Sequence, residues 1–182
     1  MKTLLLIRHS IPEKSSEFTA DPGLSPAGIQ RTKEIFRHSI FADVSQVWAS
    51  STRRAFQTAE LLGLPVRTDF RLLERKTGDT TGQDISFWKR QYEDPDFKNP
   101  DGESFREANA RMSACIRDIL SHLPDGETAL IVSHAAAICA YLQGFCTVEV
   151  TDAEQKLRKI SFQGDSAIIC VALCGRPVFM RK

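Results

Sequence analysis

Three apolar stretches of this sequence end in side chains that can do chemistry. Leu4-Leu5-Leu6-Ile7 runs directly into Arg8-His9. Leu130-Ile131-Val132 runs through Ser133 into His134, and residues 44–49 run into Ser50-Ser51-Thr52-Arg53-Arg54. A neutral imidazole is a nucleophile and a proton carrier, and a guanidinium holds anions in a two-pronged grip. Taken singly, each has a plainer reading. A histidine at a strand end is more often solvated or capping, and Arg53 reads as a solvated residue at a helix start. Taken together they do not. Two histidines and two arginines crowded at one place need an anion to balance them, and a phosphoryl group matches guanidinium geometry.

Crowding requires that the three stretches lie side by side. Residues 3–7 and 128–132 are continuously apolar, as strands covered on both faces of a parallel sheet are. Between such strands the chain carries helical signals. Ser25-Pro26 opens a helix to about residue 38, Ser50-Ser51-Thr52 caps one that Gly63 ends, and Ser104 caps one over residues 104–123. A small-residue helix over 135–145 follows His134, and residues 65–68 form a brief strand. Alternating strands and helices predict an α/β fold with a mainly parallel central sheet, α/β/α in three layers. Residues 167–173 and 178–180, joined by a turn at 174–177, are expected to add an antiparallel edge. In open parallel sheets ligands bind beyond the carboxyl ends of the strands, where all three charged ends would sit.

The chain reads as one domain over residues 1–182, with a lid or insertion at about 70–103. That segment is rich in Gly, Asp, Thr and Pro and carries one helical piece at 86–92. Its Trp88 and Tyr92 lie one helical turn apart, so they could flank the non-phosphate part of a substrate or pack the lid onto the body. Net charge is +1, which predicts neither nucleic-acid nor membrane binding. No stretch approaches the ~20 apolar residues of a spanning helix, and the N-terminus has no signal-peptide pattern. The five cysteines, an odd number without a C-x-x-C pair, read as reduced thiols of a cytoplasmic protein. No metal site is expected from them.

The same residues carry a family resemblance. Leu-Ile-Arg-His-Ser resembles the R-H-G signature of the histidine phosphatase superfamily, the phosphoglycerate mutase-like fold. Residues 49–60 (ASSTRRAFQTAE) are similar to its S-x-x-x-R-A-x-Q-T-A segment, and residues 72–82 to L-x-E-x-x-x-G-x-x-x-G. Residues 101–111 resemble G-E-S-x-x-[DE]-x-x-x-R, Val132-Ser133-His134 resembles V-S-H, and Leu24 to Gly28 resembles L-T-x-x-G. Six motifs in family order, spanning residues 4 to about 140, are specific where any one is weak.

The resemblance implies a phosphohistidine mechanism without cofactor or metal. His9 would attack phosphorus, with Arg8, Arg54 and His134 holding the phosphoryl oxygens. The Ala135 amide would add a donor at a helix start. Glu74 would be the general acid; by position alone it reads as a surface residue paired with Arg75 or Lys76. Glu103 is a rival acid, expected to be structural. The chain departs from the family pattern at Ser10 (for Gly), Ile11-Pro12, Thr80 and Ala135-Ala136 (for Gly-Gly). The phosphate-contacting Ser and Asn of sugar-phosphate mutases have no clear equivalent. The expected function is therefore a metal-independent phosphomonoesterase acting on a small phosphorylated metabolite. A phosphoglycerate mutase-type transfer and a non-catalytic phosphate-binding regulator are the alternatives. A homodimer, if formed, would use the C-terminal edge strands.

Overall fold

A computed structural model describes residues 2–14, 21–84, 86–144, 146–150, 158–162 and 169–171. The elements in chain order are β1 (Thr3–Arg8), α1 (Pro26–Ile35), β2 (Val44–Ala49), α2 (Arg53–Glu60) and β3 (Val66–Thr68). There follow α3 (Phe87–Glu93), α4 (Phe105–His122), β4 (Thr128–Ser133), α5 (Ala135–Leu142), β5 (Cys146–Val150), β6 (Arg158–Phe162) and β7 (Ile169–Val171). Single 3₁₀ turns at Ser39–Phe41 and Phe70–Leu72 link helices to strands.

Five strands form one sheet in the order β3-β2-β4-β1-β7, and every described pairing in it is parallel. β1 and β4 sit at its centre, which is why neither alternates. Leu5, Leu6, Ile7 and all of Ala129 to Val132 are fully buried. Successive β1 residues point to opposite faces. Leu4 and Leu6 join Ala129 and Ile131 in a cluster with Met112, Ile116 and Ile119 of α4 and Leu142 of α5. Leu5 and Ile7 join Leu130 and Val132 in a second cluster with Val47, Ala55, Ala59 and Phe41. Truncating one such leucine to alanine costs about 2–5 kcal/mol. The burial of β1 is thus what holds its charged end in place.

Two expectations are corrected or left outside. The strand β7 pairs parallel to β1; the second strand expected at 178–180, and with it the antiparallel edge of the final hairpin, lies outside the described residues. An antiparallel pair does occur, but as a separate two-stranded sheet of β5 and β6. The helix after His134 ends at Leu142 rather than 145. Helix α4 begins as expected: the Ser104 hydroxyl accepts from the Glu107 amide, and the Glu107 carboxylate accepts from the Ser104 amide. Cys115 and Cys139 are buried thiols, not in disulfides, and Cys146, Cys170 and Cys174 lie outside the described side chains. Among the described residues no helix is long and apolar enough to cross a membrane.

Candidate active site

The strand order places three functional ends next to one another. β2, β4 and β1 are neighbours, and the ladder continues past their ends. The His9 amide donates to Ser133 O at 2.9 Å, and the Ser50 amide donates to Val132 O at 2.9 Å. His9, His134 and Ser50 therefore leave the sheet side by side. The two imidazole rings lie edge to face with centroids 5.0 Å apart.

His9 is buried, and both ring nitrogens are engaged. Nδ1 lies 2.7 Å from its neighbour's carbonyl, Ser10 O, and Nε2 accepts from Arg54 Nε at 3.2 Å. A guanidinium only donates and a carbonyl only accepts, so the proton sits on Nδ1 and the Nε2 lone pair faces Arg54. Burial is the main cause that lowers the His9 pKa to about 4. The Arg54 and Arg8 charges push the same way, against the Ser10 hydrogen bond. His134 is fully buried and is pushed down further still, by burial first and then by His9, Arg54 and Arg8. Both imidazoles are neutral at physiological pH.

Arg54, in the first turn of α2, connects the pair. Its Nη2 reaches His134 Nδ1 at 3.4 Å while its Nε holds His9. A third contact was invisible to sequence reasoning: Asp21 Oδ1 lies 3.4 Å from Arg54 Nη1. The other oxygen of Asp21 accepts the Arg53 amide at 2.7 Å, capping α2 where the Thr52 side chain does not. Asp21 stands just before the Leu24-to-Gly28 motif, a position that gave the only hint. Arg53 is exposed as expected.

The motif residues around these groups turn out to fix the loop after His9. The Ser10 amide donates to Thr58 Oγ1 at 3.0 Å, and the Ser10 hydroxyl donates to Gly28 O at 2.9 Å. The Ser10 side chain is thus tied to α1, while its carbonyl stays on His9. Gly28 is required by close approach, since a Cβ there would sit 2.2 Å from Ile11 O. Gln57 Oε1 accepts the Leu24 amide at 2.7 Å, completing the clamp.

Glu74 reaches the site from the far side of His134. Oε1 accepts the Ala137 amide at 2.9 Å and Oε2 the Ala136 amide at 3.3 Å, so the carboxylate sits on the N-terminus of α5. The Ala135 amide, one residue nearer His134, is not among its donors. No ion pair of Glu74 with the Arg75 or Lys76 side chain, its plainer reading, is seen; of those two residues it is the Arg75 backbone amide that donates to it, at 2.8 Å. The segment before it is pinned by Ser133 Oγ donating to Leu72 O and by Arg111 Nη1 donating to Arg71 O and Leu73 O. The same Arg111 grips both oxygens of Glu103 at 2.6 and 2.7 Å. Glu103 is structural, as expected.

The lid residues divide differently. Tyr92 is buried against Phe105 with ring centroids 4.8 Å apart and clusters with Ala108, Cys139 and Ala140. It packs α3 onto the body, the second of the two readings the sequence left open for it; the Trp88 side chain lies outside the described residues. Arg75, expected in a solvated loop, is buried. It donates to Glu103 O at 2.6 Å and to Gln91 Oε1, and stacks over Phe105. Among the described residues no cluster of three or more His, Cys, Asp or Glu side chains could hold a metal ion.

A parallel sheet that presents paired histidines and arginines at its carboxyl edge defines a class. The chain belongs to the histidine phosphatase superfamily (branch 1), whose family model matches residues 4–163. Among curated proteins it is similar to the probable phosphoglycerate mutase GpmB of Enterobacter sp. (strain 638), at 28% identity over 155 residues, 76% of this chain and 72% of that one. Among solved structures it resembles YhfR of Bacillus stearothermophilus (20% identity, 92% and 98% of the chains covered, TM-score 0.68). It also resembles the phosphoserine phosphatase of Entamoeba histolytica in complex with phosphoserine (22% identity, 79% of each chain, TM-score 0.65).

Proposed function

We propose that this chain is a phosphomonoesterase that hydrolyses a small phosphate ester through a phosphohistidine on His9, without a metal. The observation that carries the reading is the state of His9: neutral, with its proton held on Nδ1 by Ser10 O and its Nε2 lone pair directed at Arg54. That nitrogen attacks phosphorus in line and forms the N–P bond as the ester P–O bond breaks. Arg8, Arg54, His134 and the Ala135 amide hold the phosphoryl oxygens. Glu74 gives the leaving oxygen its proton and then takes one from the water that cleaves the phosphohistidine.

Hydrolysis is favoured over mutase transfer because, among the described residues, Ser10 to Pro12 after His9 offer no free polar side chain for a second set of substrate contacts. Ser10 is bound to α1 and Ile11 is apolar. The name of the GpmB relative supports the mutase alternative, and one assay separates the two. Purified protein with chelator is given a panel of phosphorylated metabolites, and inorganic phosphate and isomerised product are both measured. Phosphate release with an acid-labile, base-stable phosphoenzyme supports the proposal. Isomerised product without phosphate release would establish the mutase, and neither product from any substrate would leave a phosphate-binding protein.

A further inference from the structure

His134 has a second partner that its role as a phosphoryl ligand does not explain. Its Nε2 lies 2.9 Å from Ser50 Oγ, and both residues are fully buried. Ser50 cannot drift, since its amide is bonded to Val132 O at the end of the neighbouring strand. The opposite nitrogen, Nδ1, faces Arg54 Nη2 at 3.4 Å, on the side that holds His9. Because a guanidinium only donates, Nδ1 is bare in this state and the single proton of the neutral ring is on Nε2, donated to Ser50.

This arrangement is the wrong one for holding a phosphoryl oxygen. A bare Nδ1 would set its lone pair against the oxygen's. Charging the ring is the obvious remedy, but burial opposes it first, and then His9, Arg54, Arg8 and Arg111 from the elements around His134. A hydroxyl offers another, because it accepts as readily as it donates. We propose that Ser50 is a positioning residue that lets His134 change tautomer without changing charge. When a phosphoryl group enters, the ring takes a proton at Nδ1 from the water that accompanies it and returns its Nε2 proton to that water, so the site neither gains nor loses a proton. Ser50 then turns its O–H to donate to the bared Nε2, and Nδ1–H donates to the phosphoryl oxygen. Thr52 Oγ1 lies 3.4 Å from the same Nε2, half an ångström farther than Ser50 Oγ, and is the weaker partner.

The inference rests on the phosphoryl site proposed above, and the test separates the two. Two-bond ¹⁵N–¹H spectra of the full chain report which ring nitrogen of His134 is protonated, and calorimetry reports the affinity for inorganic phosphate. The wild type should show Nε2–H alone and Nδ1–H at saturating phosphate. Ser50→Ala leaves the bared Nε2 buried without a donor, so phosphate should bind roughly tenfold more weakly. Ser50→Thr should recover most of that, and Thr52→Val should change it by less than twofold. His134 keeping Nε2–H or becoming doubly protonated in the phosphate complex overturns the inference, as does Ser50→Ala binding phosphate like the wild type. Failure of the wild type to bind phosphate overturns the phosphoryl-site reading and this inference with it.

Discussion

Arg54 Nε donates a hydrogen bond to His9 Nε2 at 3.2 Å, so the nitrogen assigned to attack phosphorus is covered by the cation assigned to bind the phosphoryl group. The two roles are compatible only in sequence. An entering phosphoryl group offers three oxygens to the guanidinium, which exchanges His9 for one of them and leaves Nε2 with an open lone pair. Lysine cannot make the exchange: its point charge lacks the planar fork that spans His9 and His134. Arg54→Lys should therefore lower turnover by about 10²–10³, close to the loss of a transition-state donor, with the fold intact by circular dichroism. Steady-state kinetics on a chromogenic ester check it, and a loss under fivefold would show that Arg54 acts by charge alone.

The neutrality of His9 has two consequences for pH. For activity, the acid limb of kcat/KM that belongs to the free enzyme should fall near pH 4, not near 6.5, once the substrate's own ionisation is divided out. For stability, the native His9 resists a proton that the unfolded chain accepts below about pH 6.5. The unfolded state thus binds more protons between pH 6.5 and 4, and stability falls as pH is lowered through that window. The His9 share reaches about 3 kcal/mol, and His9→Gln should remove it from a pH series of urea unfolding curves. A variant with the same slope as the wild type would place the pH dependence elsewhere.

Glu74 holds two amides of α5 and is also the assigned proton donor. Glu74→Gln keeps an oxygen acceptor for the helix, so stability should change by no more than about 1 kcal/mol. Turnover of alkyl phosphates should fall at least tenfold more than that of nitrophenyl phosphate, whose leaving group needs no proton. Equal losses for both esters would assign Glu74 to structure alone.

Much of this site was legible because strand patterning and side-chain chemistry agree. Residues 4–7 and 129–132 read as central strands on apolar continuity alone, and their ends followed. What was missed depends on distance in sequence. Asp21 and Arg54 are 33 residues apart, and nothing local in Asp-Pro-Gly shows a carboxylate turned toward α2. Arg75 reads as a surface charge because burial by Phe105 and Gln91 is set by how the lid folds back. Ser10 departs from the family pattern beside His9, yet only its carbonyl touches His9 while its hydroxyl turns to Gly28. β5 and β6 were passed over although Cys-Thr-Val-Glu-Val alternates, because the helix before it was extended through small apolar residues with no stop signal until Gly144.

Asp21 places a carboxylate, about half exposed, against Arg54, the arginine proposed to bind the phosphoryl group. It orients Arg54, and it also repels any anion that Arg54 would take up. Asp21→Asn keeps an oxygen for the Arg53 amide but removes the charge, so inorganic phosphate should bind a few-fold more tightly. Turnover should fall, since Arg54 loses its lateral anchor. Asp21→Ala also removes the cap of α2, at a cost of about 0.5–2 kcal/mol. Calorimetric phosphate titration and chemical denaturation separate the two effects. Weaker phosphate binding by Asp21→Asn would mean that orientation outweighs repulsion.

Arg75 joins the lid to the body by donating to Glu103 O and Gln91 Oε1 beneath the Phe105 ring. Burial lowers its pKa from the ordinary arginine value, against the pull of nearby Glu74, without discharging it. Truncation would strand Gln91 Oε1 in a buried site, a loss of roughly 1–3 kcal/mol, with the cavity adding to it. Gln91 lies on α3, so the loosening should be local. In Arg75→Ala, amide exchange in α3 and across residues 76–103 should speed up well before β1 and β4 lose protection. KM should rise more than kcat falls, because the proposed phosphoryl-binding groups stay on the sheet while the segment proposed as a substrate lid no longer docks. Hydrogen exchange followed by mass spectrometry reads the first, steady-state kinetics the second. Uniform loss of protection across the sheet would instead make Arg75 part of the global core.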